Sequence, residues 1–162
     1  MEGIFELRTA ADLFRKLQTD YEALVATPAD PYTAYNFFVT AWHLLEWLYP
    51  GDSSVRQRSE TRDQHPVLQV CEHLAVGAKH FSPSDKRLEA VTQTGRASYW
   101  AKGWWHPNWW AKGWWRDALV VELAGKAREQ FGAQIDVLPL AEEVMRFWRT
   151  NEDLHRLTIH QP

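Results

Sequence analysis

The sequence predicts an α+β fold: a four-helix bundle-like core with a small antiparallel sheet or hairpin and a Trp-rich insert. Three observations carry this. Residues 30–49, DPYTAYNFFVTAWHLLEWLY, read as one helix that is apolar on nearly every side, the mark of a helix at the centre of a domain. Three further stretches show apolar residues on a 3.6-residue period. LVVEL at 119–123 is the clearest strand, and a tryptophan repeat precedes it.

Taken in order, Ala10, Leu13, Phe14, Leu17, Tyr21 and Leu24 line one face of a first helix at about 9–27, with Thr9 and Asp12 spaced as a capping box. The link from Pro28 to Pro31 is so short that the next helix, at about 30–49, should lie antiparallel to the first. Asp30 suits the N-cap, Pro31 the first helical position and Pro50-Gly51 the stop. The central helix has only a thin polar line of Asn36, Thr40, His43 and Glu46, too narrow for a solvated face. His43 is therefore expected to be mostly buried and hydrogen-bonded.

Residues 51–64, GDSSVRQRSETRDQ, hold one apolar side chain and read as an exposed loop. A third helix at about 66–81 places Val67, Val70, Cys71, Leu74, Ala78 and Phe81 inward, while Gly77 within it suggests close approach of another backbone. Strands are expected at about 87–94, 118–124 and 127–131, with 124–126 as a turn. Asp136 can cap a last helix at about 136–152, on which Val137, Ala141, Val144, Met145 and Trp148 face inward. Trp148 and Trp42 should share one core with Leu13, Leu17, Leu74 and Val144.

With 162 residues, the chain fits a single domain large enough to bury a core without staples. Hydrophobic residues at 45% and charged residues at 24% suit a soluble protein, and no apolar run approaches the roughly 20 residues that span a bilayer. The first residues show no secretory signal, and the lone Cys71 allows neither an intrachain disulfide nor a cysteine-built zinc site, so a cytoplasmic setting is expected. A net charge of −3 gives no global attraction to nucleic acid.

Residues 99–115 hold seven of the ten tryptophans, and Ala-Lys-Gly-Trp-Trp occurs twice, at 101–105 and 111–115, around the turn chemistry of His106-Pro107-Asn108. From Arg96 to Arg116 there are four basic residues and no acid. Tryptophan beside lysine and glycine can stack on sugars or single-stranded bases, rest at a bilayer interface, or fold over the domain as local core. Seven indoles exceed what one short insert buries easily, which favours a contact surface formed by Trp100, Lys102, Trp104, Trp105, Trp109, Trp110, Lys112, Trp114 and Trp115. The expected function is a non-catalytic binding module, with a homodimer or another protein as the partner of this insert.

A second reading is an enzyme, a nuclease or metal-dependent hydrolase, using His43, Glu46, Lys79 and His80. His43 and Glu46 stand at i, i+3 on one helix, and Glu72, His73 and His80 share the outer half of another, a spacing that permits a metal site without specifying one. No cofactor or resident metal is expected: the doubled Glu-x-x-His motif, the phosphate loop and the nucleophile elbow are all lacking. The plainer reading has His43 buried, His73 and His80 solvated, and Cys71 inert in the core. The pair FFVTAWHLLEW (37–47) and CEHLAVGAKHF (71–81) resembles a set of small bacterial helical proteins in which an aromatic-His-Leu helix precedes one ending in Lys-His-Phe. That likeness covers two helices and implies no activity. Lys79-His80 at a helix end also resembles the HEPN-type helical ribonucleases, whose pattern sets an arginine four to six residues before the histidine. Here Val76, Ala75 and Leu74 occupy those positions.

Overall fold

The computed structural model describes residues 5, 7–79, 88–100 and 115–159, the side chains at 78–79, 99–100, 115–116 and 156–159 excepted. Helix α1 (Ala10–Ala26) begins at the expected capping box. The Asp12 N–H donates to Thr9 Oγ1 at 3.1 Å, and the Thr9 N–H donates to Asp12 Oδ2 at 2.9 Å. The Thr9 hydroxyl, foremost, and the Arg8 N–H hold the Asp12 carboxyl below its usual range. Helix α2 (Pro31–Leu48) is capped by Asp30, whose carboxylate accepts from the N–H groups of Tyr32 and Thr33.

The two helices run antiparallel, as the short link requires: Tyr21 meets Phe37 with ring centroids 6.0 Å apart, while Lys16 and Asp20, earlier in α1, meet Thr40, later in α2. Phe37, Ala41, Leu44 and Leu45 of α2 are fully buried among α1, helix α4 (Pro66–Lys79) and helix α6 (Val137–Thr150), which bears out the central position of this helix. Trp148 of α6 is fully buried in the same cluster as Leu13, Leu17 and Val144, and Trp42 and Leu74 pack against it.

The sheet is antiparallel with the order β1-β2-β3, made of β1 (Val91–Trp100), β2 (Trp115–Leu123) and β3 (Gln134–Asp136). Its register runs from Val91 opposite Leu123, through a bulge at 91–93, to Trp100 opposite Trp115. Leu119, Val121 and Leu123 face the helices and join their core.

Several expectations are overturned. Residues 51–64 are not a loop: a 3-10 turn at Asp52–Ser54 leads into helix α3 (Val55–Gln64), which has no buried residue. The segment expected as a strand at 127–131 is helix α5 (Gly125–Phe131), entered and left through glycines at positive φ, Gly125 and Gly132, and the third strand follows it. The first strand begins four residues later than expected and runs on to Trp100. The last helix is two. Asn151 breaks it in an extended conformation, and its side chain accepts from the Leu154 N–H at 2.9 Å, starting helix α7 (Glu152–Ile159). Asp136 stands at the N-cap of α6 without a side-chain capping bond.

Among the described residues no backbone approaches Gly77: a Cβ built there meets nothing within 4 Å. No described helix is long and apolar enough to cross a membrane.

Candidate functional site

The expected contact surface begins where the sheet leaves the body. Beyond the pair of Arg96 with Leu119, the ladder continues through Ala97–Ala118, Ser98–Asp117 and Tyr99–Arg116. Ser98 and Asp117 are both exposed, and the Ser98 hydroxyl donates to Asp117 Oδ1 at 2.7 Å across the strands. The apolar cluster claims no residue of β1 after Val91 and none of β2 before Leu119. Trp100 and Trp115 therefore stand as register partners at the mouth of the segment 101–114. Lys102, Trp104, Trp105, Trp109, Trp110, Lys112 and Trp114 lie outside the described residues.

The residues of the enzymatic reading are not gathered into one site. His43 is exposed, with 49% of its side chain open to water, and its Nδ1 lies 2.7 Å from Glu46 Oε2 on the same face of α2. The expectation of a buried His43 is thus overturned. His43 belongs to an exposed strip of α2 with Tyr32, Tyr35, Asn36 and Glu46. Only Thr40 of the polar line is buried, 4% exposed, and its hydroxyl donates to Asp20 Oδ2 at 2.6 Å while accepting from Lys16 Nζ at 2.7 Å.

Glu46 borders a shallow hollow with Arg8, Trp47, Asp52 and Arg58 near the C-terminal end of α2. Lys79 is the last residue of α4, two residues beyond Gly77; its side chain and His80 lie outside the described residues. Among the described residues no three of the His, Cys, Asp and Glu side chains could hold a metal ion together. Cys71 is buried, and burial pushes its thiol well above the usual range, which removes it as a nucleophile.

A second concavity, which sequence reasoning missed, opens between the sheet and the helices. Its volume is about 660 Å³. Phe38 and Tyr35 of α2, Leu74 and Gly77 of α4, Leu119 and Val121 of β2 and Val137 of α6 line it, and residues 91–96 of β1 form its open rim. Residues opposite each other in an antiparallel ladder share a face. Thr94, opposite Val121, and Arg96, opposite Leu119, are therefore on the core-facing side of the sheet, and both are nevertheless exposed, with no described helix over this edge.

His73, expected to be solvated, is half-buried in the cleft wall, where its Nδ1 accepts the Val91 N–H at 3.1 Å. Desolvation holds its pKa below the usual imidazole range, and the bond at Nδ1 leaves the proton of the neutral ring on Nε2. The sequence held traces of this cleft. Gly77, a helical glycine, and Arg96, a cation in a strand whose partner strand is apolar, were its signals.

No protein-family model, no curated protein and no solved structure matches the chain. The functional reading therefore rests on residues and geometry alone.

Proposed function

We propose that the protein is a non-catalytic binding module whose contact surface is the Trp-rich segment on the β1–β2 hairpin, with a second copy of the chain as its first partner. The observation that supports this reading is the ladder running to Trp100 opposite Trp115, beyond Ala118, the last buried residue described on β2, and past the exposed pair Ser98 and Asp117. Aromatic area joined to basic residues is the composition favoured in contact surfaces. Two copies related by a two-fold axis would cover each other's indoles and remove them from water.

The test replaces residues 101–114 by a short Gly-Ser turn and compares sedimentation of the two proteins. The parent is expected to sediment as a dimer and the variant as a folded monomer. A parent that is monomeric at every concentration, or a variant that keeps the parent's assembly, would refute the reading.

A further inference from the structure

The cleft between β1 and the α2–α4 pair is lined by described residues of sheet and helices and has its own chemistry. Its floor is apolar, made by Phe38, Leu74, Leu119, Val121 and Val137. Its volume of about 660 Å³ falls within the ordinary range of small-molecule sites. Burying apolar floor of this kind is the main source of affinity for an apolar ligand body.

The described lining holds two basic groups, and Thr92, Gln93 and Thr94 add neutral polar side chains at the rim. Arg96 stands at the rim on the core-facing side of β1, with no hydrogen-bond or ion-pair partner among the described residues. His73, in the wall, spends Nδ1 on the Val91 N–H and keeps an N–H at Nε2 to donate. Both are donors, one of them a permanent cation, and the described lining of the cleft includes no Asp or Glu. Such a lining complements an anion and repels an ammonium. We propose that this cleft binds a small amphiphile with an aliphatic or aromatic body and a carboxylate head, the body on the Phe38–Leu119–Val121 floor and the head at Arg96.

The test uses the full chain, with decanoate, decanol and decylammonium as probes in isothermal titration calorimetry. Decanoate is expected to bind saturably with one site per chain, decanol more weakly, and decylammonium not at all. R96Q alters an exposed side chain and should leave the fold intact. It should weaken decanoate by about threefold to tenfold, the worth of one charge-assisted contact near the surface, and leave decanol unchanged. G77L supplies the volume control. A Cβ at Gly77 meets nothing within 4 Å among the described residues, so the backbone there accepts a side chain, and a leucine filling the cleft should abolish binding of both decanoate and decanol.

The proposal falls if the parent shows no saturable decanoate binding. Equal affinity for decanoate and decanol, or G77L binding like the parent, would refute it equally. It falls too if R96Q and G77L both convert a dimeric parent into monomers, since the occupant would then be a second copy of the chain.

Discussion

At the scale of single residues, His73 shows how an environment turns a surface histidine into a pH-sensitive strut. Its ring is neutral while it accepts the Val91 N–H, and protonation would set one N–H against another. Desolvation lowers its folded-state pKa from the ordinary value of 6.5, and the same cause lowers that of His65. A ring that prefers neutrality when folded contributes stability that is full above about pH 6.5 and is lost as the pH falls, because the unfolded chain takes up the proton first. The melting temperature of the parent should therefore drop between pH 7 and pH 5. H73Q keeps an acceptor for Val91 but cannot titrate, and should drop by less; parallel curves would assign the acid sensitivity to other groups. Nothing in the sequence marked His73 for this part, since its partner is a backbone group 18 residues away. The burial expected of His43 failed for a related reason: periodicity shows how wide a polar strip is, but not whether another element covers it.

At the scale of elements, long amphipathic helices and their caps were legible because each rests on local chemistry. Thr9 and Asp12 open α1, Asp30 opens α2, and a 3.6-residue period fills both. Short or polar elements were not legible in this way. Helix α5 spans only seven residues, too few for a period to show, although Lys126, Ala127, Arg128, Glu129 and Gln130 all favour helix. Helix α3 buries nothing and is held from its surroundings. Arg58 donates to the carbonyl oxygens of Tyr49 and Gly51, Gln69 donates to those of Arg62 and Asp63, and Arg62 pairs with Glu72 at 3.2 Å. Arg62 and Glu72 are only 11% and 12% exposed, so this pair counts for more than a surface bridge. R62M should cost about 1–3 kcal/mol, the range for a partly buried hydrogen-bonded pair, and should speed amide exchange at 55–64 while the amides of α2 stay protected. Unchanged exchange at 55–64 would show that α3 stands without this clamp. The α1–α2 seam carries a comparable device in the Thr40 hydroxyl, placed between Asp20 and Lys16. T40V keeps the shape and removes the hydroxyl from a buried position, and should lower stability by about 1–3 kcal/mol in urea unfolding. An unchanged midpoint would mean that the Lys16–Asp20 pair does not need it.

At the scale of the whole molecule, the α+β class followed from the sequence because helical periods fill the two ends of the chain and the strand patterns fall together between them. The cleft did not follow, because it exists only through the way β1 overhangs the helix layer. The same assembly decides what the Trp-rich segment does for folding. Among the described residues the core draws on α1, α2, α4, α5, α6, α7 and the inner face of β2, and its buried side chains reach Ala118 on one strand of the hairpin and Val91 on the other. Ser98 and Asp117, still in the ladder, are already in water. Replacing residues 101–114 by a four-residue turn leaves every described member of that cluster in place. It also shortens the closed loop, and the entropy of closing a loop grows with the logarithm of its length, so the variant should gain about 1 kcal/mol from chain entropy alone. The expected result is a cooperative thermal unfolding transition at the parent's temperature or a few degrees above it, measured by circular dichroism below the concentration at which the parent associates. A fall of ten degrees or a broad, non-cooperative transition would mean that the indoles belong to the core, and that the hairpin is a structural lid in place of a contact surface.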